Sequence, residues 1–271
     1  MTPRDKLDAW EKALASYRAR HLTYPERDSL VAIAAIARAL APPDDPYIAG
    51  HFRSTLPRTL AWRSNERDRW SRRRLRACSP SWSWASVSNH DYTEFYSAGR
   101  ALATLLSHSL ELIDHGNPYG LVSSASLTLE CNPISLNFQK WWNYGNEWEQ
   151  VSEARELWSQ IMLNEDMLVT SPDDMDHFIA PGTELYIIPI FQSEDEATGT
   201  VHVEGLVTQR DKCGAETVYK RVGHITMDFT TASRGKQGVG EEERKEGQVG
   251  GPIIPLLREL PGWEWKTITL V

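Results

Sequence analysis

The chain of 271 residues carries a formal net charge of -8, with 24% charged and 41% hydrophobic residues, the balance of a soluble globular fold. The acidic excess argues against a dedicated nucleic-acid binder, because neutralising phosphates needs clustered Lys and Arg, found only locally in 63–76. Cys78, Cys131 and Cys213, widely spaced and odd in number, make no disulfide framework, and no pair has the spacing of a zinc site. With no apolar signal core and no apolar run of membrane-spanning length, a reducing, cytoplasmic setting is expected.

Leu7, Trp10, Ala13, Leu14 and Tyr17 recur at helical spacing and predict a helix over 5–17. A second helix is predicted over 25–40, with Thr23 as N-cap and Glu26 three residues on. Its stretch Val31-Ala-Ile-Ala-Ala-Ile-Ala is apolar almost all round, so the helix is expected to be buried. Pro42-Pro43 stops it. Residues 45–60 read as a short helix or an irregular connector. Residues 63–76 hold seven arginines, an anion or nucleic-acid patch in one reading; with no nucleic-acid fold motif beside them they read as a solvated loop, partly offset by Glu66 and Asp68.

Ser79-Pro80-Ser81-Trp82-Ser83-Trp84-Ala85-Ser86-Val87 alternates large and small residues. That alternation predicts a strand with Trp82, Trp84 and Ser86 on one face. The next segment, 100–112, has a helical composition but a strand-like alternation through Leu106, His108, Leu110 and Leu112. Asn117-Pro118-Tyr119-Gly120 is a turn, and 121–130 alternates again, so a hairpin is the economical reading. An aromatic cluster (138–148) and an amphipathic segment (151–163) follow, the second helical in period. Asp173, Asp174 and Asp176 lack the Gly and closing Glu of a calcium loop, so no metal site is expected. Segments 185–191, 200–209, 217–229 and 265–270 are β-branched and aromatic between turn signals and read as strands. Residues 231–251, rich in Gly and charge, read as a flexible loop.

The expected fold is therefore α+β, with N-terminal helices packed on a mostly antiparallel β-barrel or β-sandwich body. The helical segment is 1–60 and the β-rich body 61–271, together forming one structural domain.

No nucleophile elbow, zinc helix or phosphate loop is present, and no cofactor is implied. His90 and Asp91, just past the tryptophan strand, are the candidate acid–base pair. Trp62, Trp82, Trp84 and Ser86 are candidate walls of an apolar pocket, with Arg76 and Glu130 as polar contacts at its rim. The competing reading makes Trp82 and Trp84 core residues.

Several segments, in order, resemble the region downstream of the HET domain in fungal heterokaryon-incompatibility proteins. They are the stretch from Trp10 to Pro25; Tyr47-Ile48-Ala49-Gly50; Leu56-Pro57-Arg58-Thr59-Leu60-Ala61-Trp62; and Ser79 to Ser86. Asn117-Pro118-Tyr119-Gly120, Tyr219-Lys220-Arg221-Val222-Gly223 and Lys266 to Val271 continue the order. The HET module's own Tyr-Val-Trp-Gly-like and Trp-Ile-Asp…Cys-Ile-Asn-Gln motifs are missing, and no catalytic residue of the family maps here. The resemblance implies a regulatory or interaction module with a protein partner. The alternative expectation is a cofactor-free biosynthetic enzyme of cyclase, isomerase or pericyclase type, holding an apolar small molecule between the tryptophans.

Overall fold

The computed structural model describes residues 3–20, 22–41, 44–62, 73–74, 79–88, 99–136, 168–172, 184–195, 200–213, 216–230 and 263–271. The sequence forms α1 (Pro3–Arg18), α2 (Pro25–Asp28), α3 (Ala34–Leu40), β1 (Tyr47–Ile48) and β2 (His51–Phe52), then 3₁₀ turns at Arg53–Thr55 and Arg58–Ala61. Next come β3 (Arg73–Arg74), a 3₁₀ turn at Trp84–Ser86, β4 (Val87–Ser88), β5 (Arg100–Ala101), β6 (Thr104–Leu112), β7 (Val122–Cys131) and β8 (Ile134–Leu136). The body is completed by β9 (Leu168–Pro172), β10 (Leu185–Asp195), β11 (Thr200–Cys213), β12 (Glu216–Thr230) and β13 (Lys266–Leu270). Among the described residues no helix is long and apolar enough to cross a membrane.

The main sheet runs β5-β10-β11-β12-β13-β7-β6, and all its pairs are antiparallel except β12–β13. After β7 the chain passes Asn132-Pro133 and pairs again through β8, now against β10. One continuous segment thus touches both ends of the run β10-β11-β12-β13, which curls the sheet into a nearly closed barrel. The α+β architecture with an antiparallel, barrel-like body is the one expected. Strand β10 tolerates Pro189 because a bulge follows it at Ile190, whose carbonyl accepts from Leu102 N–H at 2.8 Å. The 106–130 region resolves as the β6–β7 hairpin, its loop closed by Gly120 N–H to Asn117 O at 2.9 Å.

Strands β10 to β12 are buried on both faces. Ile187, Val203, Val207, Ile225 and Met227 line one, while Ile188 and Leu206 on the other join the principal core. That core is continuous from α1 (Trp10, Leu14) through Trp62, Trp82 and Trp84 to Leu127, Leu129 and Leu270 of the barrel. Helices and barrel therefore share one interior.

Several expectations fail. The single helix over 25–40 is broken into α2 and α3 by the turn at Ser29–Ile33. Thr23 does not cap it: the N-cap is Tyr24, with no side-chain bond. Nor is the helix buried all round, since Val31 and Ile36 are each 44% exposed. Residues 45–60, read as a short helix or an irregular connector, do hold two short 3₁₀ turns, but the β1–β2 hairpin ahead of them was not expected. The tryptophan segment is not a strand before Val87. Ser83 Oγ accepts from Ala85 N–H at 3.1 Å and caps a 3₁₀ turn, so its serines bend the chain instead of spacing a pleat. The aromatic cluster, the 151–163 segment, the acidic triplet and the 231–251 loop lie outside the described residues, as do most of the clustered arginines.

The β1–β2 hairpin turns through Ala49 (φ 45°) and Gly50 (φ 100°), the left-handed pair of a two-residue loop. A Cβ on Gly50 would lie 2.6 Å from Trp84 Nε1. Gly50→Ala is expected to lower unfolding free energy by about 2–4 kcal/mol, combining backbone strain with overpacking. Urea denaturation of the two proteins measures it.

Candidate functional site

The segment 81–87 is held from all sides. Ser83 Oγ donates to Ala49 O at 2.6 Å, and Trp84 Nε1 donates to Gly50 O at 2.8 Å. Trp62 Nε1 donates to Trp82 O at 2.8 Å. Ser81 Oγ donates to Val271 O and accepts from Arg221 N–H at 3.0 Å; Ser86 Oγ donates to Ser81 O at 3.2 Å. From α1, Arg18 donates to Val87 O at 3.2 Å with its guanidinium 5.6 Å from the Trp84 ring. Trp82 and Trp84 are 0% exposed. Burying each indole is worth roughly 4–6 kcal/mol of transfer free energy.

Arg221 of β12 is buried beneath this segment. Its guanidinium stacks 3.5 Å from the Trp62 ring centroid while Nη1 donates to Leu60 O and Nη2 to Trp62 O at 2.6 Å. The planar fork thereby pins the end of the 58–61 turn to the barrel.

His51 lies beside Trp82, ring centroids 5.8 Å apart. Its tautomer follows from a hydroxyl census. Thr55 Oγ1 must donate to Phe52 O (2.7 Å), so at 3.1 Å it accepts from Thr59 Oγ1. Thr59 has no further proton to give and accepts from His51 Nδ1–H at 2.9 Å. His51 Nε2 is then a bare lone pair, and it and Trp82 Nε1 have no hydrogen-bond partner among the described residues. Burial, reinforced by Arg221, pushes the His51 pKa down to about 3.

On the face of the sheet that carries Leu206, Glu204 of β11 and His224 of β12 meet at 2.5 Å (Oε2 to Nε2), each side chain 2–3% exposed. Thr226 Oγ1 donates to the same carboxylate oxygen at 3.1 Å. Glu204 Oε1 has no partner among the described residues. A carboxylate set against an imidazole orients the ring and can exchange a proton with it. Among the described residues no three His, Cys, Asp or Glu gather to hold a metal.

Of the sequence candidates, Trp62, Trp82, Trp84 and Ser86 converge in one core. Glu130 is half-buried on β7, opposite Thr104 and Thr267, and alternates with the core residues Leu129 and Cys131, so it faces away from the tryptophans. His90, Asp91 and Arg76 lie outside the described residues. The sequence reading missed Arg221, Glu204 and His224 as a group. The only sequence signal was polar residues interrupting strands that otherwise read as apolar. Comparison with protein-family models, with curated proteins and with solved structures finds no match for this chain.

His51 sets an acid-side stability limit. Its folded pKa lies below the unfolded value, so the unfolded chain binds more protons between about pH 6.5 and 3. This contribution is complete above that window and falls by roughly 1.4 kcal/mol per unit as pH drops through it. Glu11, pushed up to about 7 by burial and by Asp8 against the pull of Arg58, slopes the opposite way. It does so equally in a His51→Asn variant. That variant should therefore show a flatter acid limb than the parent in denaturation curves taken from pH 7 to 4.

Proposed function

We propose that the chain is a non-catalytic regulatory or interaction module of the kind implied by the resemblance to heterokaryon-incompatibility proteins, with a protein as its partner. The observation that carries this is the fate of the tryptophans. Trp62, Trp82 and Trp84 are no more than 2% exposed, and two of the three indole N–H groups are spent on backbone carbonyls. A pocket wall needs an indole face turned toward a ligand, whereas these faces are turned toward the protein itself.

A second reading, the cofactor-free isomerase or cyclase, is favoured by one observation: the buried Glu204–His224–Thr226 cluster with a carboxylate oxygen to spare. One experiment separates the two. The purified chain is incubated with a small-molecule extract of its source cells, and every mass feature is followed with time. The interaction reading expects no feature to be consumed, and expects Trp84→Phe to cost about 1–3 kcal/mol of stability and nothing else. Consumption of a feature that drops at least ~100-fold in Glu204→Gln, with the melting curve preserved, would establish the enzyme instead.

A further inference from the structure

The outward side of residues 24–39 is largely apolar between the charged Glu26–Asp28 and Arg38. Val31 and Ile36 are each 44% exposed and Tyr24 is 61% exposed. Ala32, Ala35 and Ala39 lie exposed beside them, while Leu30, Ile33 and Ala37 fill the core side. A surface helix ordinarily turns charge toward water, so a face like this one marks a contact.

The turn that separates α2 from α3 keeps a helical sense while tightening it. Ser29 N–H reaches Pro25 O (3.2 Å), Ala32 N–H reaches Asp28 O (2.8 Å) and Ala37 N–H reaches Ile33 O (3.0 Å), with the i→i−3 bonds Ala34 N–H to Val31 O (3.2 Å) and Ile36 N–H to Ile33 O (3.0 Å) among them. Along this face Tyr24, Asp28, Val31, Ala35 and Arg38 recur at alternating intervals of four and three, the seam spacing of a helix pair. The seam is charged oppositely at its two ends. Asp28 and Arg38 enter no ion pair among the described residues; Arg38 lies exposed with its guanidinium 5.3 Å from the Tyr119 ring. Laid antiparallel on a copy of itself, the seam sets Val31 against Ala35 and Asp28 against Arg38, each twice by the two-fold axis. Laid parallel, it would set like charge on like. The alanines allow the axes to approach to about 8 Å.

We propose that residues 24–39 are the contact face of a symmetric, antiparallel homodimer, the occupant of this face being a second copy of the chain. The face is four turns long, so the pair is of the transient, concentration-dependent kind. The proposal rests on the interaction reading only in naming a partner. A monomeric protein sinks the dimer and leaves that reading standing; turnover by a dimer does the reverse.

Sedimentation velocity across the micromolar range, with thermal melts as the folding control, tests it. The parent mass should rise toward twice the monomer with concentration. Ala35→Glu should hold it at monomer, and Arg38→Glu should weaken association roughly tenfold. The exchange Asp28→Arg with Arg38→Glu should restore it, which mere surface damage would not. A monomer at every concentration, or a dimer indifferent to Ala35→Glu and to the exchange, overturns the proposal.

Discussion

Everything in this fold depends on how two carbonyl groups are satisfied. Ala49 and Gly50 turn their chain through left-handed backbone conformations, and their oxygens meet Ser83 Oγ and Trp84 Nε1. A buried carbonyl left without a donor is costly, so the hairpin and the tryptophan segment must be placed together or not at all. Arg221 then repeats the arrangement from the barrel side, satisfying the carbonyls of Leu60 and Trp62 while stacking on the Trp62 indole. The result is a polar lattice threaded through an aromatic core, with strands below and helices above. Its geometry is more specific than apolar packing alone would impose.

Strands β7 and β13 were legible because alternate residues turn to core and water, and β10 to β12, buried on both faces, because β-branched and aromatic residues run between turn signals. Thr200, Val201 and Val203 announce β11, and Lys266 to Leu270 announce β13, without any knowledge of partners. The tryptophan segment misled for the same reason. Its alternation of indole and serine looks like a pleat, yet Ser83 uses its hydroxyl to cap a 3₁₀ turn and to reach Ala49. Local hydrogen bonding overruled pattern. Residues 31–37 misled differently, since composition reports how apolar a helix is but not whether anything covers its second face.

The Glu204–His224 cluster was illegible for a further reason. Glu204 sits two residues from both His202 and Leu206, so its side of β11 mixes charged and apolar residues and no period marks it as core. Only the pairing of Glu204 with Thr226, and of Leu206 with His224, brings carboxylate and imidazole together. Register is a tertiary fact, written by the whole sheet rather than by either strand. A buried carboxylate–imidazole contact contributes little to stability, because desolvating the two groups offsets most of what their contact gains. Its burial beside Thr226, with a second carboxylate oxygen unpartnered among the described residues, is what keeps a chemical role in view.

The placement of β13 bears on how the molecule is made. Residues 266–270 lie between β12, which they follow in parallel, and β7, which was synthesised more than a hundred residues earlier. The staves of this barrel are thus assembled out of chronological order, with a late one slotted between two that already exist. On the ribosome, β6 and β7 can form their hairpin early, but the ring has a gap until residue 270 has cleared the exit tunnel. During that interval Leu127 and Leu129 lack the cover of Ile268 and Leu270, so closure is a distant, slow and aggregation-exposed step of the kind that invites a chaperone.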